Sequence, residues 1–149
     1  MFDWNKMLAT TFEDANSTQS TPVPEGEYLA RVEKMEIRSI TTKNQEERAI
    51  LRLTWAPEDS DGRIKEVTGR DQSRVSQDIW LDTTPDGNLD MGKGMNVGLG
   101  RLREVFGQNT PGKPWNFGQL VGNVARILVT HRQDDKGNVF AEVKNVAKL

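Results

Sequence analysis

Between residues 27 and 40 apolar and polar side chains alternate. Tyr28, Ala30 and Val32 fall on one side of an extended chain, Arg31 and Glu33 on the other. Met35 and Ile37 continue the apolar set out of phase, so this first strand carries a bulge or bend. The same period-two pattern recurs at 48–55, where Leu51, Leu53 and Trp55 oppose Ile50, Arg52 and Thr54. At 74–83 it sets Gln77, Ile79 and Leu81 against Ser76, Asp78 and Trp80. Two further strands follow, at 123–132 (Ala125, Ile127 and Val129 inward) and at 139–146 (Val139, Ala141 and Val143 inward).

Only one stretch breaks this rhythm with a helical period. In residues 88–107, Met95, Leu99, Leu102 and Phe106 recur at three- and four-residue steps, with Val105 widening the stripe. Asn88 or Asp90 can cap the start, and Gly107 can take the left-handed conformation that ends helices. Gly92, Gly94, Gly98 and Gly100 each weaken a helix by about 1 kcal/mol against Ala, so this helix needs a surface to lie on. Residues 56–73 read as a long connection turning at Asp61-Gly62. Asn116 and Gln119 have the spacing of a capping box for one short turn.

Three strands, a helix and two more strands predict an all-β domain, a five-stranded OB-fold barrel with its helix between the third and fourth strands. The domain runs from 22 to 149, opening on the stiff turn Pro22-Val23-Pro24-Glu25-Gly26. Residues 1–21 lie outside that pattern: Phe2, Trp4, Met7, Leu8 and Phe12 stand among acids, then a polar, linker-like run follows. Two readings of this arm stand side by side. It docks on a partner protein or a sister subunit, or it forms a short amphipathic helix packed on its own domain.

Composition removes several classes of function. Cysteine is absent, which excludes disulfides, thiolate zinc sites and cysteine nucleophiles and fits a reducing compartment. No apolar run approaches the ~20 residues of a membrane helix, and the N-terminus lacks a secretory pattern. A net charge of -2 hides an uneven distribution. Residues 1–30 hold Asp3, Glu13, Asp14, Glu25 and Glu27 against Lys6 alone, so an acidic segment precedes a mildly basic body. That balance opposes non-specific coating of duplex DNA and permits a local basic groove.

Enzymatic chemistry finds little support. The single histidine, His131, follows the alternation of Ile127 and Val129 and reads as structural or exposed. The acidic pairs Asp59/Asp61 and Asp134/Asp135 lack calcium-loop spacing and read as turn chemistry beside Gly62 and Gly137. Gly92-Lys93-Gly94 lacks the remainder of a phosphate-binding loop. The expectation is a protein without catalysis, metal or cofactor.

What remains is a surface. With the apolar faces filling the barrel, the opposite faces carry Arg31, Arg52, Trp80, Arg126, Phe140 and Lys144, with Lys43 on the loop after the first strand and Arg74 at the third strand's start. Aromatics interleaved with cations suit unpaired nucleic acid, because bases stack on rings for ~1–3 kcal/mol each while cations track the backbone. Ile50 and Leu128 share those faces, so part of the surface is expected to lie beneath the helix or the N-terminal segment. Trp55 points inward.

The order Pro24-x-Gly26-x-Tyr28-x-Ala30-x-Val32, a polar loop, then Leu51-x-Leu53-x-Trp55 resembles bacteriophage single-stranded-DNA-binding proteins of the OB-fold type. The Leu99-x-x-Leu102 helix, the Leu120-x-Gly122 turn and the closing Phe140-x-x-Val143-Lys144 strand resemble them too, across residues 22–146. The resemblance implies an accessory protein of phage DNA replication or recombination, acting in the cytoplasm of the infected host, with single-stranded DNA as its ligand. Many such proteins recruit replication enzymes through an acidic tail. This chain ends Lys144-Asn145-Val146-Ala147-Lys148-Leu149, which leaves the acidic, aromatic arm as the candidate contact to replication or recombination proteins, or to further copies of the chain. Two alternatives remain: an OB-like assembly module of a phage particle, and an RNA-binding or inhibitory accessory protein.

Overall fold

The computed structural model describes every residue, Met1–Leu149. Its elements are α1 (Trp4–Ala9), β1 (Gly26–Thr41), β2 (Glu47–Pro57), α2 (Arg63–Thr68), β3 (Val75–Leu81), α3 (Val97–Val105), a 3-10 turn (Phe117–Leu120), β4 (Val124–Gln133) and β5 (Val139–Ala147). The strands close into a barrel in the order β1-β2-β3-β5-β4. With the main helix between β3 and β4, this is the OB-fold arrangement that the element order predicts.

β1 makes closure possible because it serves two partners. Its first part, Gly26 to Arg31, pairs with β4, and the run from Ala30 to Thr41 pairs with β2. The register slips between Val32 and Lys34, so Glu33 is the bulged residue and Met35 returns to the inner face opposite Leu53. The inward rows then form one cluster: Tyr28, Ala30, Val32, Leu51, Leu53, Trp55, Val75, Leu81, Ala125, Ile127, Val129 and Val143 are all buried. Trp55 is fully covered, and its indole N–H donates to the Gln77 side-chain oxygen at 2.9 Å, which explains an amide among the inward residues of β3.

α3 sits against β3 and β5 and delivers Leu99 and Leu102 to the core. Gly98 marks the tightest approach, since a Cβ there would lie 3.3 Å from the Ile79 methyl. The helix is much shorter than residues 88–107. Thr83 bridges to Leu89 in a small hairpin, and Asn96, with φ of 53°, turns the chain into the helix. Asn96, not Asn88 or Asp90, precedes the helix, and its buried side chain leaves the helix uncapped and ties the turn to the segment after β3: Nδ2 donates to the Asp82 and Asp90 carbonyls, and Oδ1 accepts from the Asp82 N–H. Gly107 has φ of 67°, the left-handed stop anticipated there.

Three further differences have local causes. The 56–73 connection contains α2, because the Asp59 carboxylate accepts from the Ile64 and Lys65 N–H groups and nucleates a turn that buries Ile64. β5 is not regular: its register against β4 slips between Leu128 and Val129, which leaves Lys144 as the bulged residue and returns Val146 to the core side. α1 forms, with Asp3 capping it, yet none of its residues is buried, and Phe2, Trp4, Met7, Leu8 and Phe12 remain exposed.

Candidate nucleic-acid interface

The outer wall formed by β1, β2 and β3 is built from cross-strand rows. Ile50 lies opposite Trp80 on one side and Arg38 on the other, while Arg52 lies opposite Asp78 and Glu36. Trp80 is 51% exposed, and the Arg48 guanidinium stands 4.9 Å from its ring centroid. Ile50 faces outward but is only 4% exposed. Its cross-strand neighbours are the long side chains of Trp80 and Arg38. An apolar floor beneath a half-exposed indole, with guanidinium groups around it, presents one open aromatic face in a cationic frame.

Arg52 is already engaged. Its Nε and one terminal nitrogen donate to the two Asp78 carboxylate oxygens at 2.7 and 2.8 Å. These bonds hold the Asp78 carboxyl below the usual carboxylate range against the opposing effect of burial, and Arg38 and Arg132 add to the lowering. Asp78 therefore stays charged and neutralises the middle of the wall. Arg74 is engaged likewise, by a two-pronged bond to Glu33 at 2.6 and 2.9 Å.

The predicted cationic and aromatic residues do not share one surface. Arg52 and Trp80 lie on the β1–β2–β3 wall, and Lys43 is on the loop joining β1 to β2, beyond the Trp80 end of that wall. Arg74 and Phe140 meet at the other end of β3, where they line a cleft. Arg31 and Arg126 are exposed diagonal neighbours on the β1–β4 wall, since Leu29 pairs with Arg126 and Arg31 with Val124. Lys144 is displaced by its bulge toward α3, beside Gln77, Gly98, Arg101 and Val105, and so leaves the row that alternation assigned to it.

Alternation alone could have found Arg48, which continues the Ile50 and Arg52 row. Arg38 could not be phased without the Glu33 bulge. Arg132 lies opposite Phe140 and pairs with Glu142 at 3.2 Å.

The other chemistry-bearing groups have structural work. A His131 ring nitrogen, Nε2, lies 2.7 Å from the Val23 carbonyl, and its backbone N–H donates to Glu25. Asp61 accepts from the Arg63 N–H, and Asp134 accepts from the Lys136 and Asn138 N–H groups, which is the turn chemistry expected of both acidic pairs. Gly92 spends its N–H on the Asp90 carboxylate, well before the helix begins. No three metal-binding side chains come together. The chain matches no protein-family model, and no curated protein is detectably similar to it.

Proposed function

We propose that this chain is a non-catalytic single-stranded-DNA-binding protein of phage DNA replication or recombination, working in the infected host cell. One observation carries the reading: Trp80 stands half-exposed on the barrel wall with Arg48 against its ring and Arg38 and Arg52 in the adjoining rows. An unpaired base stacks on the free part of the indole, and Arg48, Arg38 and Lys43 meet the phosphates on either side. Duplex is disfavoured, because paired bases keep their faces covered. Pairing of Asp78 with Arg52 offsets a carboxylate that would otherwise repel the strand beneath that track.

Labelled oligo-dT, duplex of equal length and oligo-U, each titrated with the full chain, test the reading. Binding of dT well above duplex is expected, and equal affinity for duplex would defeat it. A second reading rests on the exposed apolar residues of α1, which suit the docking element of an assembly module in a phage particle. That module would bind none of the three nucleic acids.

A further inference from the structure

The cleft lined by Arg74 and Phe140, of about 540 Å³, opens at the start of β3. Its walls are the tether Thr18–Val23, Arg70 and Arg74, Ser76, and the start of β5 with Phe140. Phe140 is 45% exposed. No acidic side chain lines the cleft. Arg74 is held by Glu33, but Arg70 is not spent: one terminal nitrogen donates to the Thr21 carbonyl at 3.1 Å, and it makes no ion pair. The cleft thus joins an aromatic face, a guanidinium with donors to spare, and the hydroxyls of Thr18, Ser20, Thr21 and Ser76.

We infer that this cleft is a second nucleotide subsite for the same unpaired strand, taking a base against Phe140 and its phosphate at Arg70. The inference rests on the single-strand reading above. The ligand chemistry follows from the lining: a flat π-face for the ring, the Arg70 guanidinium without a carboxylate partner for the phosphate, and short hydroxyls for the sugar edge.

The subsite lies on the track that begins at Trp80. Ser76 of β3 pairs with Glu142 of β5 in parallel, so Phe140 stands beside Arg74. At ~3.3 Å per residue, the run from Arg74 to Trp80 covers about 20 Å. A stacked strand rises ~3.4 Å per nucleotide, so about six nucleotides join the two rings, and fewer join them if the strand is drawn out. Between them the carboxylates Asp78 and Glu142 are each paired with an arginine, Arg52 and Arg132. Because the tether forms one wall, a nucleotide seated here also fixes the root of the N-terminal arm.

The test is an oligo-dT length series from dT2 to dT12, read by fluorescence anisotropy with the full-length protein. For the native chain, affinity should step upward between about four and seven nucleotides as the second ring is reached. Phe140→Ala and Arg70→Ala, both at exposed positions, should remove that step, binding dT10 about 5- to 10-fold more weakly while leaving dT3 unchanged. Trp80→Ala should weaken every length. If Phe140→Ala and Arg70→Ala bind dT10 like the native chain while Trp80→Ala does not, the subsite is refuted and the single-strand reading stands. If the native chain binds no oligo-dT, both fall.

Discussion

Replacing Trp80 by alanine separates a binding indole from a packing one. Full burial of an aromatic covers 150–250 Å², and Trp80 is 51% exposed, so roughly 100 Å² is covered. At ~25 cal/mol per Å² that is at most ~2.5 kcal/mol. Alanine regains part of it and the unfolded chain buries some already, so we expect a stability loss of ~1–2 kcal/mol. The fully buried Trp55 should lose ~3–5 kcal/mol on the same change. Binding should follow the opposite order. Trp80→Ala should lose ~1–3 kcal/mol of oligo-dT affinity, about 5- to 150-fold, and Trp80→Phe should recover most of it because a stacking face returns. Urea melts followed by circular dichroism and anisotropy titrations of labelled dT measure the two quantities independently. Unchanged dT binding by Trp80→Ala would refute the assignment, and a stability loss matching that of Trp55→Ala would show the ring to be packing instead.

Other consequences are open to measurement. With Arg38, Lys43, Arg48 and Arg70 meeting phosphates, log K for dT should fall against log salt with a slope of about -3, at ~0.7 per contact; a slope near zero would remove the electrostatic part of the mechanism. Asp78→Asn should free Arg52 and take away a negative charge, so dT binding should tighten several-fold and its salt slope steepen. The Asp78 carboxyl is lowered by folding, so its contribution is complete above the ordinary carboxylate pKa of about 3.9 and is lost as pH falls through the folded value. Asp78→Asn should therefore lose less stability on acidification than the native chain, by well under 1 kcal/mol since the pair is partly exposed, as acid-limb melts would read. Asn96→Ala strips three side-chain hydrogen bonds from a buried position and leaves a residue with a Cβ at φ of 53°. A loss of ~2–4 kcal/mol is expected, and Asn96→Gly should recover ~1 kcal/mol by removing the backbone strain; equal Tm values for the two variants would contradict that account.

The barrel was legible because the five inward rows alternate over most of their length, and because Pro, Gly and Asn mark the turns between them. Bulges were harder. Met35 and Ile37 out of phase exposed the one at Glu33, whereas the bulge at Lys144 leaves no such trace, because Lys144 and Asn145 are both polar. The α3 boundary was overextended for a related reason. Met95 fits a helical stripe, but the chain before it is fixed by Asn96 reaching back to Asp82, a contact between positions that no local pattern links. Exposed orientations of Trp80 and Phe140 followed from alternation. Which cations remain unpaired did not, since Arg52 with Asp78 and Arg74 with Glu33 are meetings of separate strands.

The barrel wall is not equally strong all round. β3 and β5 meet at a single pair, Ser76 with Glu142, whereas the other neighbours share long ladders. Below that pair, α3 spans a slit lined by Gln77, Ile79, Lys144 and Val146. The molecule therefore has a built-in seam. Its lips carry backbone amides with few partners, so deuterium should enter along β3 and the facing edge of β5 first, while the ladder between β1 and β2 exchanges last. Folding should run in the reverse sense. Sheet β4-β1-β2-β3 can assemble through antiparallel neighbours alone, leaving the parallel stitch, a single pair with the least to gain, to be made at the end. A strand laid from Trp80 to Phe140 would cross that seam and hold its lips together, so bound DNA should slow exchange there more than anywhere else on the wall.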